Sequence, residues 1–415
     1  MFGHNLRSMV IELSSGIKDL RELSRKPLSG HNLSSATSAL DSLIAIACDA
    51  EASDLHLDPT ETVILVRIRI DGYLRSFGSL SKKMHQELIA RIKVLAGLRT
   101  DEHFTPQDGR FYYTQNDGSR IDIRLSIAPT YYGENAVLRF LAPTRHALSN
   151  LGFSNVHEAQ LADLLSRSHG MLLVSGPTGS GKTTTLYSLL RLIAQRPLSL
   201  VTIEDPIEYS IDGAVQIQAR KGFSFADGLR SILRQDPDVI MVGEIRDEET
   251  AGLATNAALT GHLVFSTLHA NDAPGVLLRL MDLKVEPFLI TSTISLIVAQ
   301  RLVRKVCVIC AIEEEISLTE YNQLSRLFDT EIPKRVVRGG GCDECDGSGY
   351  RGRIGIYELM EINQEMREAV LAKVGVEELR MLALTAGMAP LLADGLSKVV
   401  QGLTTFEEIL RTRYA

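Results

Sequence analysis

The feature that most constrains this chain is a glycine-rich turn between an apolar segment and a segment with helical spacing. The turn reads Gly-Pro-Thr-Gly-Ser-Gly-Lys-Thr over residues 176–183 and fits the pattern G-x-x-x-x-G-K-[ST]. The apolar run 170–175 before it is typical of a buried strand, and a helix is predicted to follow the turn. A strand, turn and helix in this order predict an α/β fold with a phosphate-binding loop.

Each part of this turn suits one part of a nucleoside triphosphate. The glycines allow backbone N–H groups to surround the phosphates, and the helix N-terminus favours negative charge. A lysine at the seventh position can reach the β- and γ-phosphates, and the threonine after it can ligate Mg²⁺. We therefore expect ATP and Mg²⁺ to be held by Gly176, Pro177, Thr178, Gly179, Ser180, Gly181, Lys182, Thr183 and Thr184, with Thr183 as the magnesium ligand.

Composition restricts the class of protein. The chain has 415 residues, of which 45% are hydrophobic and 23% charged, as expected for a soluble globular protein of two or three domains. Its net charge of −7 argues against a nucleic-acid binder. No apolar run reaches about 18 residues, and the N-terminus lacks a signal-peptide pattern, so we expect a cytoplasmic protein with no transmembrane helix.

The sequence predicts two domains after an N-terminal segment. Residues 1–35 are expected to be a mobile N-terminal segment or to form a short helix near residues 17–23. Residues 36–143 are predicted to form a small α+β domain, residues 144–150 a linker, and residues 151–415 a larger α/β domain.

In the small domain, strands are predicted at residues 63–70, 120–126 and 136–141, the first of them ending at the hairpin-type turn Asp71-Gly72. Helical spacing over residues 82–98 directs five side chains towards a core, namely Leu88, Ile89, Ile92, Val94 and Leu95.

In the large domain, short apolar runs alternate with helices, which predicts a largely parallel sheet flanked by helices. Polar motifs follow the runs, and ligands of such sheets bind at the carboxyl ends of the strands. Glu204, Asp205 and Glu208 follow the second run and could ligate Mg²⁺ or orient the attacking water, although a solvated acidic turn is the alternative. Glu244 ends the third run, preceded by Gly243 where an Asp is usual, and is expected to hold the Mg²⁺ shell.

The fourth run is followed by a polar cluster. His269 lies near Thr267 and Asn271, and this group is expected to contact or sense the γ-phosphate, although a lone histidine is more often structural. For His262, at the other end of the run, a role in phosphate contact and a structural role are equally expected.

Four of the five cysteines form two C-x-x-C pairs, and Cys48 is expected to be an ordinary buried thiol. Two such pairs supply four thiolates in tetrahedral geometry, which predicts a structural Zn²⁺ with no open position for catalysis. Disulfides are disfavoured in the cytoplasm. The expected ligands are Cys307, Cys310, Cys342 and Cys345.

Together these motifs resemble the secretion-superfamily ATPases, in the branch that powers type IV pilus assembly and type II secretion. The resemblance covers about residues 36–415. It includes the segments Ser-Asp-Leu-His-Leu-Asp-Pro at 53–59, Arg-Ile-Asp-Gly at 69–72, Gln-Asp-Gly-Arg at 107–110 and Gly-Tyr-Arg-Gly-Arg-Ile-Gly-Ile-Tyr-Glu at 349–358.

This resemblance implies a hexameric ring with a PAS-like first domain, a RecA-like second domain, a zinc-bearing insertion at about residues 305–347, and ATP bound between the two domains. It implies that one acid of the 204–208 motif polarises water, with Glu208 preferred over Glu204, and that Arg230 and Arg234 match family arginines. It also assigns to the nucleotide cleft four arginines that could otherwise be solvated surface charges or arginine fingers, namely Arg69, Arg110, Arg124 and Arg139.

The function expected from the resemblance is a motor ATPase that acts through an inner-membrane platform protein, with only indirect membrane contact. The alternatives are a scaffold that binds ATP without turnover and a DNA-transfer ATPase of the same superfamily. The intact acids and Lys182 argue against the scaffold, and the acidic composition and zinc module argue against DNA transfer.

Overall fold

The structure is a computed structural model that describes residues 35–115, 118, 120–141, 147–328 and 330–413. The chain divides into two compact units, residues 1–143 and 144–415. The expected helix near residues 17–23 lies outside the described residues. Within the described ranges, no helix is both long enough and apolar enough to cross a membrane.

In its described residues the first unit is an antiparallel sheet with two helices, the α+β arrangement predicted from its sequence. Its elements are α1 (Ala36–Asp49), β1 (Asp54–Pro59), β2 (Val63–Ile70), β3 (Tyr73–Ser81), α2 (His85–Leu95), β4 (Gln107–Thr114), β5 (Arg120–Thr130) and β6 (Gly133–Leu141). The six strands lie in the order β3-β2-β1-β6-β5-β4. The β2–β3 turn has positive φ at Asp71 and Gly72, as a two-residue hairpin turn requires.

One predicted core position of this unit is wrong. Leu88, Ile89 and Ile92 are buried on α2, but Val94 is 59% exposed and Lys93 is fully buried instead. Residues two apart on a helix lie about 200° apart around its axis, so Val94 cannot share the face of Ile92. Lys93 is accommodated there because its Nζ lies 2.7 Å from a carboxylate oxygen of Glu134.

The second unit is built on a second sheet. Its strands are β7 (Gly170–Ser175), β8 (Leu200–Glu204), β9 (Ala214–Gln218), β10 (Val239–Val242), β11 (Leu263–Leu268), β12 (Ile294–Val306), β13 (Ala311–Glu315), β14 (Arg335–Gly339) and β15 (Tyr350–Glu361). Its helices are α3 (Asn155–Ser166), α4 (Lys182–Ile193), α5 (Phe225–Ile232), α6 (Glu248–Leu259), α7 (Ala273–Asp282), α8 (Pro287–Thr293), α9 (Leu318–Phe328), α10 (Gln364–Leu371), α11 (Val376–Thr385), α12 (Leu391–Val400) and α13 (Phe406–Arg413).

The main sheet confirms the predicted parallel α/β architecture. Its order is β15-β12-β7-β11-β10-β8-β9, and every neighbouring pair is parallel except β12 with β15. Every residue of β7, β8, β10 and β11 is buried, because helices cover both faces of these strands. The carboxyl ends of these strands therefore meet at one edge, which carries the polar motifs.

The segment between β12 and β15 forms a small module with its own two-stranded sheet, β13 paired with β14. Helix α9 connects those two strands. The module shares an apolar cluster with the C-terminal helices, formed by Leu324, Ile332, Val336, Val399, Phe406 and Ile409. Apolar packing therefore stabilises this module, in addition to any contribution of the cysteines.

Candidate nucleotide site and tetracysteine cluster

The turn at residues 176–183 has backbone conformations that only glycine adopts easily. Gly176 and Gly181 have φ of 145° and 88°. A Cβ on Gly176 would lie 2.5 Å from the carbonyl oxygen of Gln300, and a Cβ on Gly181 would lie 2.8 Å from the Gln300 side chain. Gln300 of β12 also accepts a hydrogen bond from Thr185 Oγ1, 2.8 Å away. Strand β12 therefore packs against the turn through Gln300.

Lys182 begins helix α4 and folds back over the turn. Its Nζ donates to the carbonyl oxygens of Gly176 and Pro177, at 2.8 and 3.0 Å. Burial lowers the pKa of Lys182. Thr183 is exposed, and the buried Ser180 Oγ has no partner among the described residues. A lysine aimed into a glycine cradle with an exposed hydroxyl beside it fits a magnesium-bound nucleotide phosphate.

Glu244 and His269 lie at the same edge of the sheet. Arg246 Nε is 2.6 Å from Glu244 Oε2, and His269 Nε2 is 3.8 Å from the same oxygen. Thr267 Oγ1 donates to the Gly243 carbonyl at 2.7 Å, which joins the ends of β10 and β11. Burial and the charge of Lys182 lower the pKa of His269, which favours its neutral imidazole.

The two glutamates after β8 have different surroundings. Glu204 is only 3% exposed, and its carboxylate accepts hydrogen bonds from Tyr187, Thr202 and Gln216. Glu208 lies four residues further on and is half-buried. Of the two, Glu208 is the more exposed residue.

Other residues singled out in the sequence lie elsewhere. His262 precedes β11, at the opposite edge of the sheet from His269, and its Nδ1 is 2.9 Å from the Ala257 carbonyl. Arg230 is paired with Glu249, and Arg234 is exposed. His262 thus has a structural contact far from the phosphate-binding turn.

Four arginines of the first unit form a row with Asp54. Direct cross-strand pairing joins Arg69 to Asp54, Asp54 to Arg139, Arg139 to Arg124, and Arg124 to Arg110. Residues directly paired across strands project from the same face of a sheet. The row therefore crosses β2, β1, β6, β5 and β4 on one face, and it carries four positive charges and one negative charge.

Acidic side chains pair with arginines of this row. Arg139 Nε and Arg69 Nε lie 2.9 and 3.4 Å from the two oxygens of Asp54. Arg110 Nε donates to Asp122 at 2.7 Å. The Arg139 side chain remains 64% exposed. Because like charges directly opposite one another are destabilising, such a row favours a bound anion.

Sequence reasoning missed several residues of the site. Arg301 is 7% exposed and donates to the Asn271 carbonyl at 2.9 Å, which supports the loop after His269. Tyr187 and Gln216 bind the Glu204 carboxylate. The tyrosine among the helical residues after the glycine-rich turn is a signal that could have indicated this cluster.

The four paired cysteines converge. Their Sγ atoms all lie within 4.8 Å of one another, and three of the separations are 3.9, 3.8 and 3.7 Å. A tetrahedron with Zn–S bonds of about 2.3 Å has S–S edges of about 3.8 Å, whereas a disulfide measures about 2.05 Å. Backbone N–H groups of Gly341, Cys342 and Gly349 donate to the sulfurs. The cluster therefore fits a tetrahedral thiolate-bound metal.

Fold and site together define a P-loop ATPase. The chain belongs to the type II/IV secretion system protein family, whose model matches residues 31–411. It is 41% identical over 402 residues to the type IV pilus assembly ATPase TfpB of Acinetobacter baylyi, covering 96% of this chain and 69% of that protein. It is 43% identical over 377 residues to type II secretion system protein E of Aeromonas hydrophila, covering 90% and 74%.

A solved structure resembles the whole fold. The pilus retraction motor PilT with bound ADP superposes with a TM-score of 0.62 at 28% sequence identity, covering 89% of this chain and 96% of that chain. The RecA-like expectation therefore agrees with a nucleotide-bound relative of the same architecture.

Proposed function

We propose that the chain is a motor ATPase that couples ATP hydrolysis to type IV pilus assembly or type II secretion. The observation that carries the proposal is the convergence of Lys182, Glu244 and His269 at the carboxyl edge of the parallel sheet. The pilus assembly and secretion relatives support the biological role.

In this proposal each side chain has a separate task. The N–H groups of the turn and Lys182 bind the β- and γ-phosphates, and Thr183 and Glu244 hold Mg²⁺, which offsets phosphate charge when bound. Glu208 orients the attacking water and takes its proton. Neutral His269 is placed to contact the γ-phosphate. Glu204, buried and saturated with hydrogen bonds, positions the loop that carries Glu208.

The oligomer and its partners belong to the same proposal, and the arginine row bears on the oligomer. We propose a homohexamer in which Arg69, Arg110, Arg124 and Arg139 contact phosphates bound by an adjacent subunit. The ring would lie in the cytoplasm against an inner-membrane platform protein, which transmits motion to pilin-like subunits. The alignment of the row on one face and the exposure of the Arg139 and Arg110 side chains support this assignment.

The cysteine cluster is proposed to hold one structural Zn²⁺. Its four thiolates occupy all tetrahedral positions, so the ion would have no role in hydrolysis. It would tie the start and end of the module between β12 and β15 together.

A test of the function begins with Lys182→Ala. We expect loss of Mg²⁺-dependent ATP hydrolysis, because the charge that binds the β- and γ-phosphates is removed. Lys221→Ala, at an exposed lysine of the same unit, should keep parental turnover. Parental turnover in Lys182→Ala would contradict the mechanism, and a parent that binds ATP without hydrolysing it would indicate a scaffold.

The biological role is tested in cells whose only copy carries Lys182→Ala. Loss of surface filaments with secretion intact would identify a pilus motor. Loss of secretion with filaments intact would identify a type II secretion motor. If neither changes, the export role is wrong.

A further inference from the structure

Tyr187 connects the phosphate-binding helix to the loop after β8. Its hydroxyl donates to Glu204 Oε2 and accepts from the backbone N–H of Glu208, 3.3 Å away. The tyrosine side chain is fully buried. Its burial raises the pKa of Tyr187, and the negative charge of Glu204 raises it further. One hydroxyl therefore contacts the carboxylate of Glu204 and the backbone of Glu208.

The position of Tyr187 along α4 is what gives this contact its significance. Lys182 begins the helix, and Tyr187 follows five residues later, about 7.5 Å along the axis at about 1.5 Å per residue. The intervening helix is a continuous hydrogen-bonded segment, so both residues belong to one element. The position of the hydroxyl that contacts the Glu208 backbone is therefore fixed relative to the start of this helix.

The rest of the loop is fastened to the same helix. The ring of Tyr209 packs against that of Tyr187 with centroids 4.3 Å apart, and Arg191 of α4 lies over the Tyr209 ring at 4.9 Å. Gln216 of β9 donates to the Tyr209 carbonyl at 3.1 Å and accepts from the Ile211 N–H at 2.8 Å. These contacts tie the loop at both ends, with Glu208 between them.

The carboxylate of Glu204 completes the arrangement from the strand side. Thr202 and Gln216 donate to its Oε1 at 2.6 and 3.1 Å, and Tyr187 occupies Oε2. A buried carboxylate that accepts three hydrogen bonds fixes the positions of its partners. It is also poorly placed to bind a substrate.

We propose that Tyr187 is a positioning residue that sets Glu208 relative to the phosphate-binding helix, with Glu204 as the anchor of its hydroxyl. This inference rests on the proposed function, in which Glu208 orients the attacking water. In this proposal Tyr187 acts on hydrolysis only through Glu208.

The test is Tyr187→Phe in the full chain. Phenylalanine keeps the ring packing and removes both hydroxyl contacts. We expect kcat to fall about ten- to a hundredfold, the range for losing a hydrogen bond to a charged group. Binding of a non-hydrolysable ATP analogue should change less than about twofold, because the turn and Lys182 are untouched. The thermal midpoint separates this effect from unfolding.

The matched control is Tyr350→Phe, which also removes a tyrosine hydroxyl contact, the one from half-buried Tyr350 to Thr405 Oγ1 at 2.9 Å. It lies outside the nucleotide site, and its kcat should stay parental. If Tyr187→Phe folds poorly, Glu204→Gln is the second variant. It should lower kcat about tenfold, whereas Glu208→Gln should lower it more than about a thousandfold.

Parental kcat in Tyr187→Phe, or a fall in kcat matched by an equal loss of analogue binding, would overturn the inference. So would a Glu204→Gln defect as large as that of Glu208→Gln. An inactive parent would remove the proposed function together with this inference, whereas an active parent with a fully active Tyr187→Phe removes the inference alone.

Discussion

At the scale of single residues, neighbouring positions of one motif have unlike environments. Glu204 and Glu208 look equivalent in the sequence, yet the first is buried and hydrogen-bonded by three side chains. Two of those partners, Tyr187 and Gln216, come from other elements. The motif predicts where the acids lie, but which of them is accessible depends on packing that local sequence does not encode.

A pH prediction belongs to this scale. His157 is 6% exposed, its Nδ1 has no partner among the described residues, and burial lowers its pKa. The unfolded state therefore binds more protons, so stability is lost as the pH falls below about 6.5. His157→Phe, beside the ring of Phe153, should reduce this loss in urea unfolding at pH 5 compared with pH 7.5.

The exposed His169 provides the comparison, because His169→Ala should leave the pH dependence of stability unchanged. An unaltered dependence in His157→Phe would show that other groups cause the acid destabilisation.

At the scale of elements, strands and helices with strong periodicity were predicted correctly, and weakly patterned ones were not. The buried parallel strands are continuous apolar runs, which sequence patterns identify well. Strand β9, Ala-Val-Gln-Ile-Gln, is short and lies at the sheet edge, and it was not predicted. The burial of Lys93 was not predicted, because it depends on an ion pair with Glu134 on a strand far away in the sequence.

The tetracysteine module provides a prediction at this scale. Purified protein should contain about one Zn²⁺ per chain, and Cys342→Ser should lose it, because three thiolates hold zinc far less tightly. Hydrogen exchange should rise in residues 307–349. Helices α12 and α13 should lose less protection, since apolar packing also holds them.

Cys48→Ser, at the cysteine outside the cluster, should retain the metal. Metal content measured by mass spectrometry decides the matter, and metal-free parental protein with normal stability would refute the zinc assignment.

At the scale of the whole molecule, distant sequence segments meet in ways that no local pattern reveals. The arginine row draws on four strands that span residues 69–139, and antiparallel register alone aligns them. The resemblance implied which arginines matter. Their alignment on one face with Asp54 emerged only from the sheet.

A mixing experiment tests whether these arginines act between subunits. Arg124→Ala and Lys182→Ala should each be nearly inactive. If Arg124 acts on the nucleotide of a neighbour, a random one-to-one mixture should recover up to about a quarter of parental activity. Half of the subunits then carry an intact Lys182, and about half of those lie next to a subunit with an intact Arg124. Arg120→Ala, on the same strand, should be active alone.

Recovery is measured as ATP hydrolysis after the subunits have exchanged. A mixture no more active than its components would place Arg124 on the nucleotide of its own subunit or outside the site altogether.

The sequence by itself determined the glycine-rich turn, the parallel sheet behind it and the two cysteine pairs that converge. These depend on short-range spacing and on the need to bury apolar strands, both of which are written locally. Tertiary structure alone decided which glutamate is accessible, that Tyr187 joins the P-loop helix to the 204–208 loop, and that four arginines share one face. Each of these depends on contacts between residues far apart in the chain, where register and burial, rather than residue type, set the environment.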